Sequence, residues 1–231
     1  MSTYVLVHGF WVGPSSWDLV APRLEAAGHT VVRVALPGTT ALEANRADVG
    51  LVDLVDAVLE AVDGDPSGDT VLVGSSFAGK LVQIVSELRP GLRLAVHVDS
   101  LPKPIVGSDQ PPGPDLAFTW DEFTPEELRD LTDEQRAAIE SEAVPFPASP
   151  IREDWDLRKG RRFDVPTLVV ATGFTGDDVR AWREAYGIGP ELDGYRSLGI
   201  VELPTSHWPQ LTRPAELAEI LLDPGPLTPQ A

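Results

Sequence analysis

The sequence predicts an α/β fold, a mostly parallel and doubly wound β-sheet covered by helices on both faces. Three observations carry that expectation. Short β-favouring runs alternate with helical patterns over most of the 231 residues, the order that a parallel sheet requires. The runs are of the buried type, nearly continuous in apolar residues, as strands covered on both faces are. One of them, over residues 70–73, enters a sharp turn and then a helical pattern at once, which reads as a strand–turn–helix unit.

Residues 4–7 form the first strand and end at His8-Gly9-Phe10-Trp11. Ser16 is the expected N-cap of a helix reaching Ala27, closed by Gly28 as its C-terminal cap. A second strand over 30–36 stops at Pro37-Gly38. Residues 51–62 carry a helical stripe: Leu51, Leu54, Val55, Val58, Leu59 and Val62 share one face, with Asp53, Asp56, Glu60 and Asp63 opposite. A turn at Asp65-Pro66-Ser67-Gly68 leads into the strand over 70–73 and a helix over 81–88. Another strand covers 94–98, followed by Asp99.

Residues 100–163 break the rhythm. Pro102, Pro104, Pro111, Pro112 and Pro114 open the segment, and Pro145, Pro147 and Pro150 end it. Two short acidic helices are expected between them. The first has Thr124 as N-cap, Pro125 at the first helical position and Glu127 closing a capping box; the second starts at Thr132. The alternation then returns, with a strand over 167–171, a helix over 177–186, a strand over 197–203 and a last helix over 213–222. The expected organisation is a core of residues 1–99 and 164–223, an insertion over 100–163 sitting over one end of the sheet, and a tail over 224–231.

The 42% of hydrophobic and 23% of charged residues belong to an ordinary soluble globular protein, long enough for a sizeable core. No run of 18 apolar residues and no basic-then-apolar leader is present, so neither a membrane span nor a signal peptide is expected. The absence of cysteine excludes disulfides, thiolate zinc sites and a cysteine nucleophile, and fits a cytoplasmic protein. A net charge of −18 repels nucleic acid and anionic membranes, which are therefore not expected partners. The acidic groups are scattered over helix faces and read as a solvated surface.

The chemistry points to Thr70-Val71-Leu72-Val73-Gly74-Ser75-Ser76-Phe77-Ala78-Gly79-Lys80. Small residues flank a serine at the tip of a strained turn; Gly74, Ala78 and Gly79 let the strand and helix backbones approach closely. This geometry lifts the Ser76 hydroxyl above the sheet edge, beside the positive end of the following helix. The competing reading is an ordinary βα turn with a capping serine.

A serine hydroxyl is a poor nucleophile until a base takes its proton, and the chain has four histidines. His29 stands at a helix–strand junction, His8 ends the first strand where it holds a loop, and His97 lies inside a strand as a core group. His207, in Leu203-Pro204-Thr205-Ser206-His207-Trp208-Pro209, follows the last strand at the carboxyl edge of the sheet, the edge that also bears Ser76. His207 is the expected base. The expected oxyanion donors are the backbone N–H of Phe77, which starts the helix after Ser76, and that of Phe10, in the loop after the first strand. Losing one such donor typically costs about 3–4 kcal/mol.

These residues together resemble the α/β-hydrolases, and specifically the small branch of plant methylesterases, hydroxynitrile lyases and their bacterial relatives. The resemblance begins with His8-Gly9-Phe10-Trp11 and Trp17 and continues through Gly28-His29-Thr30-Val31-Val32 and Leu36-Pro37-Gly38. It closes on Gly74-Ser75-Ser76-Phe77-Ala78-Gly79 and on Ser206-His207-Trp208-Pro209 with Arg213-Pro214. It implies a cap between the sixth and seventh strands of the family, where residues 100–163 fall, with Ser76 as nucleophile and His207 as base. The chain departs from the family pattern twice. The acid that orients the histidine is missing from its usual place after the proline opening the penultimate strand, where Phe174 and Thr175 stand. The nearest carboxylates, Asp177 and Asp178, also read as a helix N-terminus; Asp99, at the end of the preceding strand, is preferred to Asp177, and absence of the acid is the third option. The threonine and lysine of the lyase members are replaced by Gly9 and Trp208, which weakens cyanohydrin cleavage and favours ester hydrolysis.

The expected activity is that of a serine carboxylesterase acting on a small hydrophobic ester or thioester, with no metal or organic cofactor. The inserted segment brings Leu116, Phe118, Trp120, Phe123, Phe146 and Trp155 to a chain with only 7% aromatics. With Trp11 and Trp208, the residues Phe118, Trp120 and Phe123 are the expected lining of an apolar pocket. The competing reading is that they pack the insertion onto the sheet. Two other functions stay open: a lyase, cyclase or decarboxylase on the same fold, and a ligand-binding protein with a degraded triad.

Overall fold

The computed structural model describes residues 1–39, 46–109, 111, 113–225 and 227; Pro112 and most of the expected tail lie outside them. The strands are β1 (Thr3–Val7), β2 (Thr30–Val34), β3 (Thr70–Ser75), β4 (Leu94–Val98), the two-residue β5 (Asp115–Leu116) and β6 (Phe146–Pro147), β7 (Thr167–Ala171) and β8 (Leu198–Glu202). Six of them form one sheet in the order β2-β1-β3-β4-β7-β8, every pair parallel. The helices are α1 (Ala21–Ala26), α2 (Leu51–Asp63), α3 (Ala78–Leu88), α4 (Asp133–Glu142), α5 (Ser149–Arg152), α6 (Gly176–Ala185), α7 (Gly189–Gly194), α8 (Pro209–Thr212) and α9 (Pro214–Leu222).

Every residue of β1, β3, β4 and β7 is buried, which accounts for their unbroken apolar runs. Successive residues point to opposite faces, and the core divides accordingly. Val5, Val7 and Leu72 pack with Leu51, Leu54 and Val58 of α2 and Leu81 and Ile84 of α3. Tyr4, Leu6, Val71 and Val73 pack on the other face with Trp17, Leu24 of α1 and Leu217 and Leu221 of α9. Among the described residues, no helix is long and apolar enough to cross a membrane.

Three local expectations are corrected. The helix expected from Ser16 is a 3-10 turn over Pro14–Trp17 followed by α1, and the Ser16 hydroxyl donates to the Gly13 carbonyl at 2.7 Å instead of capping. Pro22 is the reason: it clashes with a carbonyl one turn back in a helix interior but fits the first turn of α1. The helix expected from Thr124 is one capped turn. Its capping box forms, with Thr124 N–H to Glu127 Oε2 at 2.8 Å and Glu127 N–H to Thr124 Oγ1 at 3.3 Å, but Asp130 adopts φ 63° and turns the chain away. Helix α7 had no counterpart in the expected elements. It supplies Glu191, whose carboxylate takes Arg162 at 2.6 Å while Glu87 of α3 takes the same guanidinium at 3.1 Å. This buried group ties the chain to α3 where it returns from the 100–163 segment.

The topology positions the site. From β1 the chain moves outward to β2 and then crosses back to β3, so the loops leaving β1 and β3 diverge at the carboxyl edge. Such a switch point is where open α/β sheets hold ligands. Residues 8–13 follow β1 and Ser76 follows β3.

Gly74 makes the turn after β3 possible. A methyl group there would sit 2.6 Å from both the Ala78 carbonyl oxygen and a Val82 methyl. Gly74→Ala is expected to cost about 1–3 kcal/mol, read as a lower urea midpoint, while Gly91→Ala, with nothing within 4 Å of the added carbon, leaves the midpoint nearly unchanged.

Candidate active site

Ser76 has φ 55°, and Trp11 and Asp99 have φ 64° and 44°; with Asp130 these are the only non-glycine residues with positive φ among the described residues. A side chain in this region costs of order 1–3 kcal/mol. Three of the four stand just beyond β1, β3 and β4, at one edge of the sheet. Each is held by its surroundings: Ser76 N–H donates to Val98 O at 2.8 Å, Asp99 N–H to Val170 O at 2.8 Å, and Trp11 O accepts from Val144 N–H at 3.1 Å.

Gly9 lets the loop after β1 lie against the serine. A β-carbon on Gly9 would stand 3.0 Å from Ser76 Cβ and 3.1 Å from Ser75 O. The loop is fastened by buried His8, whose Nδ1 lies 2.9 Å from Gly9 O and whose Nε2 lies 3.3 Å from Thr39 Oγ1. The backbone N–H groups of Phe10 and Phe77 have no protein acceptor among the described residues. Their rings stack at 4.7 Å, with Phe146 against both.

His207 sits in the loop between β8 and α8. Its Nδ1 lies 2.5 Å from Asp99 Oδ2, and Asp99 Oδ1 accepts the N–H groups of Thr172 at 3.2 Å and Gly173 at 3.0 Å. Burial pushes the Asp99 carboxyl up, but His207 and the two amide donors outweigh it and hold the group below its ordinary range. Asp177 and Asp178 lie elsewhere, at the start of α6. Asp178 closes a capping box with Thr175, and Asp177, well exposed, pairs with Arg180. Ser76 Oγ and His207 form no hydrogen bond with each other.

One group near His207 was not singled out for chemistry by its position in the sequence. Glu127 Oε1 lies 3.9 Å from His207 Nδ1, and Glu127 O accepts the His207 N–H at 2.8 Å. In the sequence it is legible only as the end of a capping box. Asp99, Glu127 and His207 have ligand-type atoms within 4.8 Å of one another. The 2.5 Å between Asp99 and His207 is a hydrogen bond, shorter than the roughly 3.3 Å that separates two tetrahedral zinc ligands at about 2 Å from the metal. The arrangement suits a shared proton better than an ion.

Of the expected pocket residues, Trp11 lines a cavity of about 480 Å³, with Val12, Thr39, Gln135, Ile139 and Leu211. Phe118, Trp120, Phe123 and Trp208 do not line it; they pack on one another at ring separations of 4.8–6.5 Å. Phe123 also stands 5.5 Å from the His207 ring, and Trp11 touches Phe118 and Phe123. The aromatic cluster therefore joins the 100–163 segment to the loops that carry the polar site.

A sequence profile described as the alpha/beta hydrolase family matches residues 4–220. The chain belongs to the alpha/beta hydrolase family. A carbendazim hydrolyzing esterase of Nocardioides sp. (strain SG-4G) is 24% identical over 96% of this chain and 98% of its own length. Among solved structures, an extracellular alpha/beta-hydrolase from a Paenibacillus species, described as homologous in structure and function to tobacco Salicylic Acid Binding Protein 2, superposes with a TM-score of 0.77. It is 21% identical and covers 96% of this chain and 98% of its own. A methylesterase from Arabidopsis superposes at 0.74, with 16% identity over 96% and 98% of the two chains. At these identities, the two structures establish the likeness of fold.

Two buried histidines near the site give this hydrolase a predictable acid response. Burial lowers His8 to about 4, against a weaker upward pull from Gly9 O, and lowers His97 to about 3. Both bind protons more tightly when unfolded, so stability is fully present above pH 6.5 and falls as pH drops through 6.5 toward 4 and 3. The loss is expected to be about 3 kcal/mol for His8 and about 5 kcal/mol for His97. Urea midpoints measured from pH 7.5 to 4 should fall, and the fall should be shallower in His97→Asn than in the wild type.

Proposed function

We propose that this hydrolase is a serine carboxylesterase that cleaves a small hydrophobic ester or thioester through an acyl-enzyme on Ser76. Ser76 Oγ attacks the carbonyl carbon while His207 Nε2 takes the hydroxyl proton. Asp99 holds the opposite ring nitrogen, which fixes the tautomer and stabilises the imidazolium. The carbonyl oxygen becomes an oxyanion between the Phe10 and Phe77 N–H groups. As the tetrahedral species collapses, the carbon–oxygen or carbon–sulfur bond breaks and His207 returns the proton to the leaving group. Water then adds to the acyl carbon, giving its proton to His207, and a second collapse releases the acid and restores Ser76. Ser76 and His207 do not hydrogen-bond to each other here; such contacts commonly tighten only around substrate.

The observation that carries this reading is the 2.5 Å contact between His207 and Asp99, made at the same sheet edge as Ser76 and as the Phe10 and Phe77 amides, which have no protein acceptor among the described residues. It gives the histidine an orienting acid, whose absence from the usual place was the main support for a non-hydrolytic or ligand-binding role. The lyase chemistry is further disfavoured at Gly9, where even a β-carbon would crowd Ser76 and Ser75. An apolar acyl or alcohol group suits the aromatic side chains around the site. It also agrees with the names of the relatives, an esterase for carbendazim and a methylesterase.

The test is hydrolysis of p-nitrophenyl acetate and butyrate. Ser76→Ala and His207→Ala should abolish turnover, Asp99→Asn should lower it by about 10⁴-fold, and Asp177→Asn should leave it unchanged. Wild-type activity no higher than that of Ser76→Ala would refute the esterase.

A further inference from the structure

We propose that Glu127 is a second acidic partner of His207, a positioning residue that stabilises the protonated ring and takes over its orientation when Asp99 is lost. The proposal rests on the esterase reading for its kinetic consequence but not for its electrostatic one.

Three contacts aim the Glu127 carboxylate. Oε2 is occupied by the Thr124 N–H at 2.8 Å and the Thr124 hydroxyl at 2.9 Å, which leaves Oε1 facing His207 Nδ1 at 3.9 Å. The backbone of the same residue accepts the His207 N–H at 2.8 Å, so the turn and the histidine loop are joined beside the ring. Gly173 provides the room: a β-carbon there would stand 3.1 Å from Glu127 Cγ and 3.7 Å from both Asp99 oxygens. The two carboxylates thus converge on one ring nitrogen across a glycine.

The remaining charges near the loop do not offset this pair. Asp130 accepts from the Thr205 hydroxyl at 3.0 Å and is paired with Arg213 at 3.3 Å. Phe123 and Trp208 present rings to His207. Among the described contacts, no lysine or arginine faces the imidazole. With Asp99 in place, Glu127 acts through charge, because 3.9 Å is beyond hydrogen-bond range. A closing movement of about 1 Å would bring Oε1 to hydrogen-bond distance of Nδ1. Its side chain is 28% exposed where that of Asp99 is 4%, so it has freedom to make that movement.

Glutamine preserves the capping box, which makes Glu127→Gln a test of charge alone. Removing the negative charge disfavours the imidazolium. The acidic limb of kcat/KM for p-nitrophenyl butyrate should therefore move to lower pH by about half a unit. Adding Glu127→Gln to Asp99→Asn should lower the residual rate at least tenfold further. A limb unmoved in the single variant, together with a double variant no slower than Asp99→Asn, would overturn the proposal. The His207 ring signals, assigned by their loss in His207→Ala, are followed by NMR as a readout that needs no turnover. A titration midpoint unchanged by Glu127→Gln overturns the proposal even if hydrolysis is absent, whereas a lowered midpoint without Ser76-dependent hydrolysis overturns only the esterase.

Discussion

The common direction of the six strands is the constraint on which the site depends. In a parallel sheet all carboxyl ends lie along one edge, so loops distant in sequence are delivered to one place. The loop with Phe10 leaves β1, Ser76 leaves β3, Asp99 leaves β4 and His207 leaves β8. Because β1 and β3 are neighbours, the expected donor loop and the serine come into contact without any long excursion of chain. Because β4 and β8 flank β7, Asp99 reaches His207 only across the end of that intervening strand. The chain just after β7 must therefore stay low. It does so with Thr172 and Gly173, whose N–H groups grip Asp99. A carboxylate placed on this loop would compete for the position that Asp99 occupies.

Strain is distributed along the same edge. Ser76, Trp11 and Asp99 all adopt left-handed backbone conformations; Ser76 and Asp99 directly follow β3 and β4, and Trp11 lies four residues past β1. A local cost of this kind persists only where packing over-determines the conformation. Here the sheet supplies that through the backbone bonds from Ser76 and Asp99 to the neighbouring strands. Trp11 is fixed from the other side, by its indole N–H to Leu116 O at 3.0 Å and by Val144. The serine and acid positions are thus held by the core, while the loop with Phe10 is held partly by the 100–163 segment.

Much of this was legible because its signals are local. The strands are continuous apolar runs, α2 is a clean stripe, and the turn at Ser76 announces itself by the small residues that steric contact demands. His207 was reached by elimination among four histidines and by its place after the last strand. Asp99 could be preferred but not decided, since its pairing with His207 depends on a contact across 108 residues of sequence. The Asp177 alternative failed for a local reason, as it stands exposed at the start of α6 and pairs with Arg180 one turn on. The helix expected at Thr124 ends after one turn because a capping box specifies how a helix begins and says nothing of how far it runs. Glu127 was hidden by the same box: one of its oxygens satisfies the cap, and the other is free for a neighbour the sequence does not reveal.

That double use of Glu127 bears on what the inserted segment contributes. Its aromatic residues pack against Trp11 and Trp208, its turn at 124–128 accepts the His207 N–H, and Gln135 of α4 donates to Leu211 O at 3.0 Å. Lys80 of α3, four residues past Ser76, donates to Pro150 O at 2.8 Å and Glu153 O at 2.7 Å. The segment is therefore bonded to the helix after the serine and to the loop bearing the histidine. Displacing it would withdraw a charge and a backbone acceptor from His207 at the same moment. Substrate entry that moved the 124–128 turn would thus alter the surroundings of His207 as well as the opening, whereas entry past Trp11, beside the 480 Å³ cavity, would leave them undisturbed. The second route conserves the arrangement on which the proposed proton transfer depends.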